Sequence, residues 1–554
     1  MNFVLNSSVN GVILRKFAVL SSCLLVLFTL VMPAHAATSL TATTDRGEIQ
    51  GALRNGVIEF RGIPYAQSTA GAARWTLPKP VEPWSGVRDA TQFGPACPQV
   101  ARFNLTEGSD KEDCLSVNVS VPDNAETKRP VLVWIHGGAF VGGASSLYRL
   151  DALAQSGVVV VSMNYRLGAL GFLAHPSFAS EAGGAYGIAD QREAMRWVQR
   201  NIAAFGGDPN NVTLAGESAG AGSICMHLAN PALSTGLFNK AIVMSGGCLF
   251  PLPTLNQAAS LANRLAKTAG CEKASDTLTC LRQTPLATLL QAQTDVSGTE
   301  VVAFGPAGGS SVAPKLPGET ITSGEFQKVP VLYGGTQDEL QLYVGYDMQA
   351  GKSVTQENYS AWLTALYANT TQEKDRKTVE AIQKAYPLDG SQPNPVVLGA
   401  VMSDYNPVVG INNCLFLKTA NALAKYVPVY QFEFADRDAL VLGVGMPAKP
   451  DPGFKLGAVH SSELNYLFPH LSNTSKIDAP DLPSASQELA VQMTALWTSF
   501  ARSGKPQAKG IPEWPLYAGG ATVMRFEPGK TALYDAGAKH KCAFWKSLYP
   551  ENLN

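Results

Sequence analysis

The chain has 554 residues, of which 16% are charged and 45% are hydrophobic, and its 43 basic side chains nearly balance its 44 acidic ones. A chain of this length and composition can bury a large core, as globular proteins do. The formal net charge of −1 and the lack of any basic run give no electrostatic footprint for nucleic acid or an anionic membrane surface, and both are set aside as partners.

The N-terminal segment differs from the rest of the chain. Arg15 and Lys16 precede an apolar run over residues 17–32, which ends in the small-residue sequence PAHA. This pattern is typical of a secretory signal peptide, residues 1–36, with cleavage after Ala36. A membrane anchor is the alternative, but the run is short for a span. The sequence therefore predicts an exported protein, periplasmic or secreted, with no membrane span after cleavage.

Short apolar, β-branched runs recur through the mature chain between glycine and polar residues. They cover residues 131–135, 157–164, 211–216, 240–246, 329–335 and 426–434. Runs without strict alternation predict strands buried on both faces of a mostly parallel sheet. Helical patterns lie between them, for example over 190–205 and 261–269. Because no linker or repeat interrupts the series, residues 37–554 are predicted to form a single α/β domain, with one large central sheet and helices on both faces.

A glycine pair follows the first of these predicted strands directly. His136, Gly137 and Gly138 come immediately after residues 131–135. Glycine lets the backbone approach a substrate without a side chain in the way, so this sequence predicts an oxyanion loop whose N–H groups face the reacting carbonyl. An ordinary glycine-rich turn is the alternative.

The sequence GESAG at residues 216–220 follows the third predicted strand and precedes a helical stretch. G-x-S-x-G at such a junction predicts a nucleophile elbow, which holds the hydroxyl of Ser218 above the sheet. The N–H of Ala219, at the start of the helix, would join those of Gly137 and Gly138 as an oxyanion donor. A serine hydroxyl also needs a base to take its proton. A polar residue in a tight turn is the alternative for Ser218.

Further segments form an ordered set with this motif. They are FRGIPYA (60–66), EDCLSVNV (112–119), HGGAF (136–140), NYRLG (164–168), FGGDPNNVTLAGESAG (205–220), GGTQDE (334–339), GAVHSSELNYLF (457–468) and CAFWKSLYP (542–550). In content and order they resemble the type-B carboxylesterase and cholinesterase-like family of α/β hydrolases. The resemblance covers almost all of the mature chain and implies the α/β-hydrolase fold.

The resemblance also implies a catalytic triad in the chain order serine, glutamate, histidine. Ser218 is then the nucleophile, Glu339 the acid and His460 the general base. Glu339 follows the strand predicted at 329–335, at the edge where open α/β sheets gather their sites. Asp338 is an adjacent alternative for the acid. The family's glycine after the glutamate is Leu340 in this chain.

Two more side chains are predicted to support the triad. Glu217 lies beside the nucleophile, and a solvated turn is its alternative. Ser245 ends the strand predicted around 240–246, and in relatives this serine hydrogen-bonds the catalytic acid. Hydrolysis by such a triad needs no organic cofactor. The chain contains neither a CxxC pair nor an HExxH motif, so no metal site is predicted.

Eight cysteines remain after removal of residues 1–36, an even number that suggests disulfides in an exported chain. Spacing alone leaves their connectivity open. The resemblance implies the pairs Cys97–Cys114, Cys271–Cys280 and Cys414–Cys542. Cys225 and Cys248 then remain; they follow the nucleophile helix and the next strand, which should be neighbours, so a fourth disulfide is a hypothesis.

The substrate is predicted only in outline. In cholinesterases the loop closed by the first disulfide carries an aromatic residue that receives the quaternary ammonium. Here that loop has no tryptophan, and Phe103 is expected to anchor it, which argues against choline esters. The default prediction is a broad-range hydrolase that uses water to cleave small or medium uncharged esters. One alternative is a specialised hydrolase of carbamates, amides, polyesters or natural-product esters. The other, a catalytically dead binding scaffold, is disfavoured because all three triad positions are filled.

Overall fold

The computed structural model describes residues 39–554 except 102–107, 125, 179–181, 299–301, 369–372, 442–451 and 473–478. The predicted signal peptide and Phe103 lie outside the described residues. The segment Ala37–Asn554 forms one compact unit. Within the described ranges, every helix is too short or too polar to cross a bilayer.

The described residues form fourteen strands. They are β1 (Thr41–Thr44), β2 (Gly47–Gln50), β3 (Ala52–Arg54), β4 (Val57–Pro64), β5 (Val87–Asp89), β6 (Ser116–Pro122), β7 (Arg129–Ile135), β8 (Val159–Met163), β9 (Gly207–Glu217), β10 (Lys240–Met244), β11 (Val331–Thr336), β12 (Val429–Phe434), β13 (Thr522–Phe526) and β14 (Ala532–Asp535). A small sheet contains β1, β2 and β5. The other strands form one central sheet in the order β14-β13-β12-β11-β10-β9-β7-β8-β6-β4-β3.

The middle of the central sheet, from β13 to β8 in that order, is parallel, and antiparallel strands extend both edges. This arrangement confirms the predicted α/β fold with a large, mostly parallel sheet. Each of the apolar runs singled out in the sequence overlaps one strand between β7 and β12. Strands β3, β4, β6, β13 and β14 were not predicted, because they are three to eight residues long and interleave polar with apolar residues.

The helices of the described residues cover both faces of the sheet. They are α1 (Asp151–Gln155), α2 (Gly168–Phe172), α3 (Tyr186–Asn201), α4 (Ala219–Ala229), α5 (Pro231–Ser234), α6 (Leu255–Thr268), α7 (Thr277–Gln283), α8 (Leu286–Ser297), α9 (Pro317–Ser323), α10 (Gln341–Gln349), α11 (Tyr359–Tyr367), α12 (Glu373–Ala385), α13 (Asn394–Asp404), α14 (Asn413–Ala424), α15 (Leu464–Leu467), α16 (Ser484–Ser503), α17 (Ala536–Lys539), α18 (Cys542–Leu548) and α19 (Pro550–Leu553). The predicted helices fall in α3 and α6. Helix α6 starts earlier than predicted because Thr254 caps it through a capping box with Gln257.

Strand β7 shows why the central runs are continuously apolar. Val133 and Ile135 belong to the core that contains α3 and α4, whereas Leu132 and Trp134 belong to the opposite core, which contains α16. All four side chains are at most 1% exposed. Burial on both faces removes the need for alternation, and each such side chain contributes about 1.5 to 3 kcal/mol.

The parallel register brings several loops to one edge of the sheet. Ile135 of β7 pairs with Gly216 of β9, while Met244 of β10 pairs with both Glu217 of β9 and Gly334 of β11. The strands therefore end at nearly the same level, and the loops that follow them meet above the middle of the sheet.

Four disulfides join residues of the described chain: Cys97–Cys114, Cys225–Cys248, Cys271–Cys280 and Cys414–Cys542. Three are the pairs implied by the resemblance. The fourth, Cys225–Cys248, joins helix α4 to the turn that follows β10. Both of its cysteines are at most 2% exposed, so this cross-link lies inside the core.

Candidate active site

His460 lies within hydrogen-bonding distance of both other predicted triad residues. Nε2 of His460 is 2.9 Å from Oγ of Ser218, and Nδ1 of the same ring is 2.7 Å from Oε2 of Glu339. The side chain of His460 is 6% exposed and that of Glu339 is fully buried. A hydroxyl, an imidazole and a carboxylate in this order form the arrangement that activates a serine for attack on a carbonyl.

Ser218 occupies a sharp strand-to-helix turn. It follows β9 directly, precedes α4 and has φ 55° and ψ −120°, a conformation that costs a non-glycine residue about 1 to 3 kcal/mol. Its N–H donates to the carbonyl of Met244 at 3.0 Å, and its carbonyl accepts from Gly222 at 2.9 Å. A Cβ at Gly220 would lie 2.0 Å from the carbonyl oxygen of Ile135, so only glycine fits there. The small residues of GESAG thus permit the close strand-to-helix approach.

Glu339 contacts the imidazole, whereas Asp338 is directed to other partners. Oε1 of Glu339 accepts hydrogen bonds from Oγ of Ser245 at 2.5 Å and from the N–H of Thr336 at 2.8 Å. Asp338 instead accepts from the N–H of Ala458 at 3.0 Å and pairs with Arg437. Asp338 therefore holds the loop that leads to the histidine, and Glu339 orients the ring.

Leu340 fits the position where the family has glycine. Its φ of −92° is accessible to any residue, and its N–H donates to Oγ of Ser403 at 2.9 Å. The departure from the family sequence therefore imposes no backbone strain on the acid loop.

Glu217 is a buried member of the site, not a solvated turn residue. Its side chain is 2% exposed, and Oε1 lies 3.3 Å from Nε2 of His460. The same oxygen accepts a hydrogen bond from Oγ of Ser461 at 2.6 Å. Sequence reasoning missed Ser461, although it directly follows His460 in the segment that carried the resemblance.

Glu463 was also missed. It is fully buried, and within the described residues neither of its carboxyl oxygens has a hydrogen-bond partner. Desolvation by burial, followed by the charges of Glu217 and Glu339, raises its pKa well above the usual value. Desolvation also raises the pKa of Glu217, opposed by the neighbouring His460. Glu463 lies in the same family segment as His460, but its burial could not be predicted because it depends on how the loop after His460 packs.

The pKa of His460 reflects two opposing effects. Desolvation by burial lowers it, but the charges of Glu217 and Glu339, the hydrogen bond to Glu339 and the charge of Glu463 together raise it to about 9. A ring held between carboxylates is stabilised in its cationic form. This is the form that a general base adopts after taking the serine proton.

The glycine loop after β7 lies beside Ser218. Gly137, Gly138 and Ala139 all line the cavity at the nucleophile, and Gly138 and Ala139 have φ values of 112° and 54°. Burial raises the pKa of Tyr148, and a hydrogen bond from the Gly137 backbone opposes that rise. The backbone of Gly137 thus lies close to the Tyr148 hydroxyl, and its role as an oxyanion donor stays a prediction.

Ala139 is a candidate donor that sequence reasoning missed. It follows Gly138 in the loop, and its positive φ is uncommon for a residue with a Cβ. Ala219 is the first residue of α4, so its N–H has no acceptor within that helix. Ala139 therefore joins the predicted Gly137, Gly138 and Ala219 as a candidate N–H donor to an oxyanion.

The catalytic cavity has a volume of about 90 Å³ and a mainly apolar upper wall. That wall is formed by Leu342, Tyr343, Tyr346, Leu464 and Leu471. Ser218, Glu217 and His460 lie at its base. Across the described part of the chain, no cluster of three or more His, Cys, Asp or Glu side chains is arranged to hold a metal ion.

Comparison with known proteins supports the same class. The carboxylesterase family matches residues 38–545. The chain is 34% identical over 519 residues to fumonisin B1 esterase of Sphingopyxis macrogoltabida, covering 89% of this chain and 88% of that protein. It is 35% identical over 492 residues to para-nitrobenzyl esterase of Bacillus subtilis (strain 168), covering 87% and 93%. A solved structure of PNB esterase matches with a TM-score of 0.72 and 32% identity, covering 92% of this chain and all of that one.

Fold and relatives together define an α/β hydrolase that acts on carboxylic esters. The chain belongs to the carboxylesterase family. The resemblance found in its sequence motifs is thereby confirmed.

Proposed function

We propose that this carboxylic ester hydrolase works through an acyl-enzyme formed on Ser218. His460 takes the serine proton as Oγ attacks the ester carbonyl, and then gives that proton to the leaving alcohol. A water molecule deprotonated by His460 releases the acid in the second half of the reaction. Glu339 fixes the imidazole tautomer and stabilises its cation without taking the proton.

The observation that carries this proposal is the continuous hydrogen-bond chain from Oγ of Ser218 through His460 to Glu339, with spacings of 2.9 and 2.7 Å. These distances fall within the range in which a base can abstract a proton directly. The chain continues to Ser245, whose hydroxyl satisfies the second oxygen of Glu339. A base and an acid already in place need no rearrangement before attack.

The developing oxyanion is proposed to bind the N–H groups of Gly138, Ala139 and Ala219. Fixed backbone donors in a water-poor cavity stabilise the negative charge of the tetrahedral intermediate more than that of the ground state. Loss of one donor of this kind typically lowers kcat about 100- to 1,000-fold. Gly137 is a further predicted donor, and its missing side chain is required because a Cβ there would lie 2.8 Å from Oε2 of Glu217.

We propose small and medium uncharged esters as the range accepted in the catalytic cavity. The apolar wall of Leu342, Leu464 and Leu471 suits an aliphatic acyl or alkoxy group, and the volume of about 90 Å³ favours a small one. A specialised substrate is the second candidate, because one relative is named for its action on fumonisin B1. The same residues would cleave such a natural-product ester.

Export completes the proposal. We propose that residues 1–36 are a signal peptide and that residues 37–554 are one catalytic domain which functions outside the cytoplasm. Four disulfides agree with an oxidising compartment. N-terminal sequencing of the mature protein tests this part, and a start at Ala37 is expected.

The decisive experiment compares wild type and Ser218→Ala on 4-nitrophenyl esters of increasing acyl length. The variant is expected to lose at least about 1,000-fold in kcat, because the nucleophile is absent. Ser260→Ala, which changes an exposed serine of α6, serves as the matched control and should retain full activity. A fluorophosphonate probe should label Ser218 in the wild type and in the control. Undiminished hydrolysis by Ser218→Ala would overturn the proposal.

A further inference from the structure

A second, larger cavity lies next to the catalytic one. Its volume is about 620 Å³, compared with about 90 Å³ for the catalytic cavity. Leu147, Tyr148 and Ser472 line both cavities and form the wall between them. The two cavities therefore adjoin at these residues, and an ester held in both would have its chain pass between them.

The larger cavity carries an excess of cationic side chains. Arg54, Arg61 and Arg149 line it, against the two carboxylates of Glu59 and Asp151. Three positive charges less two negative charges leave one positive charge in excess at neutral pH. Guanidinium groups present several N–H donors in a plane and suit carboxylates, which can accept two of them at once.

Arg61 is held firmly within this lining. Its side chain is 22% exposed, Nη2 lies 2.5 Å from Oε2 of Glu59, and the guanidinium sits 4.2 Å from the centre of the Phe93 ring. Within the described residues, Nε of Arg61 is buried and has no acceptor. An arginine fixed by an ion pair and a ring loses little conformational freedom when it binds a ligand.

Ser120 adds a second unsatisfied donor to the same cavity. It is 1% exposed, and its hydroxyl has no hydrogen-bond partner in the described part of the chain. Unpaired buried polar groups cost free energy unless a ligand or water satisfies them. The arginines and this hydroxyl therefore offer paired donors to an incoming acceptor.

The catalytic cavity has the opposite character. Glu217 lines its base, and the buried Glu463 lies close behind. The mainly apolar lining there offers few partners to a carboxylate, whereas the arginines of the larger cavity attract it. The two cavities thus suit the two ends of an ester that carries a remote negative charge.

We propose that the arginine-lined cavity binds a carboxylate carried by the ester substrate at a distance from the reacting bond. The inference rests on the proposed function, since the ester group must reach Ser218, and it extends the accepted substrates from uncharged esters to half-esters of dicarboxylic and polycarboxylic acids. Arg61 binds the remote carboxylate, and Arg54 and Ser120 supplement it.

The kinetic test uses matched 4-nitrophenyl esters that end either in a carboxylate or in its methyl ester, over a series of chain lengths. At one length the wild type is expected to prefer the carboxylate in kcat/KM, and the preference should weaken as salt rises. Arg61→Gln should reduce the ratio of charged to uncharged kcat/KM about tenfold or more, the range for a lost charged hydrogen bond. Arg264→Gln, which removes an exposed arginine of α6, should leave the ratio unchanged.

A binding test separates this inference from the proposed function. Adipate is titrated by calorimetry into Ser218→Ala and into Ser218→Ala with Arg61→Gln, and binding is expected only to the first. Even if the protein hydrolyses no ester, this measurement still decides whether the arginine-lined cavity binds a carboxylate. Equal adipate binding by both proteins, or no preference for the carboxylate ester at any length, overturns the inference. Should Arg61→Gln not fold, Arg54→Gln, whose side chain is 37% exposed, replaces it in both tests.

Discussion

At the scale of single residues, the main feature of the site is that two carboxylates lie close to one imidazole. Glu339 and Glu217 both approach His460, at 2.7 and 3.3 Å. One carboxylate would be enough to orient the ring. The second raises the pKa of the histidine further and so stabilises the cation formed during attack, at the cost of a less available neutral base.

This balance predicts how activity depends on pH. The base must be neutral, and the pKa of His460 is raised to about 9, so kcat/KM of the wild type should rise with pH and level off above about 9. Glu217→Gln removes a charge that raises this pKa. The rising limb should therefore move to lower pH by roughly 1 to 3 units.

Profiles of kcat/KM against pH for the two proteins, measured with an uncharged ester, check this. Glu488→Gln, on the exposed face of α16, is the control and should reproduce the wild-type profile. If the rising part of the kcat/KM profile lies at the same pH in Glu217→Gln as in the wild type, Glu217 does not raise the pKa of His460.

At the scale of elements, the turn after β10 connects Ser218, the proposed nucleophile, to Glu339, the proposed acid. Ser245 at its start holds Glu339, and Cys248 at its end is joined to Cys225 in α4, the helix that begins beside Ser218. A Cβ at Gly246 would lie 2.5 Å from that of Ala221, so the turn and the helix are in direct contact. The disulfide thus fixes two elements whose relative position sets the triad geometry.

Replacing both cysteines, Cys225→Ala with Cys248→Ala, is expected to lower kcat about tenfold with little change in KM. The reason is that Ser245 and Glu339 lose a support, and misplacement of catalytic groups by about 1 Å costs up to about 100-fold. The pair Cys271→Ala with Cys280→Ala is the matched control.

Both double variants should lose stability, by about 2 to 4 kcal/mol in the loop-entropy account. Only the first should lose kcat, as measured with each protein below its own unfolding temperature. An equal kcat in the two variants would show that the Cys225–Cys248 bridge acts on stability alone.

At the scale of the whole molecule, a buried charge cluster ties the C-terminal segment to the rest of the fold. His540 lies between Asp404 at the end of α13 and Glu433 of β12, with both hydrogen bonds at 2.6 Å. Desolvation lowers the pKa of His540, but the charges of Glu433 and Asp404 and their hydrogen bonds raise it to about 10. The cluster adjoins the disulfide between Cys414 and Cys542.

The raised pKa predicts a pH-dependent stability. In the unfolded chain the pKa is about 6.5, so the stabilisation from protonated His540 is complete below about 6.5 and is lost as pH rises towards 10. His540→Gln should unfold more easily by about 3 to 5 kcal/mol near pH 6.5, since it leaves two buried carboxylates without a cation. The difference in the free energy of unfolding between His540→Gln and the wild type should become smaller towards pH 10.

Thermal and urea unfolding between pH 6.5 and 10 measure this difference. His175→Gln is the control, because burial lowers the pKa of His175, so its contribution is lost only below about pH 6.5 and its difference from wild type should stay constant over this range. If the difference in the free energy of unfolding between the wild type and His540→Gln stays constant from pH 6.5 to 10, His540 is not a buried cation in the folded protein.

Much of this molecule was predictable from local sequence. Apolar runs buried on both faces marked every strand from β7 to β12, and GESAG between a strand and a helix marked Ser218. The strands towards the sheet edges escaped prediction because they interleave polar with apolar residues over only three to eight positions, which gives a weaker pattern. Glu339 and His460 were assigned by family motifs, with only the strand predicted before Glu339 as local support.

Whether an acid in this chain is a proton carrier, a ring support or a loop anchor depended on packing between distant segments. Asp338 and Glu339 are adjacent, yet Ser245 and Ala458 direct them to different tasks. The burial of Glu463 and the arginine-lined cavity could not be predicted from the sequence. Short-range patterns encode backbone conformation and burial, whereas charge state and cavity shape arise from groups far apart in the chain that share a medium of low dielectric constant once the fold excludes water.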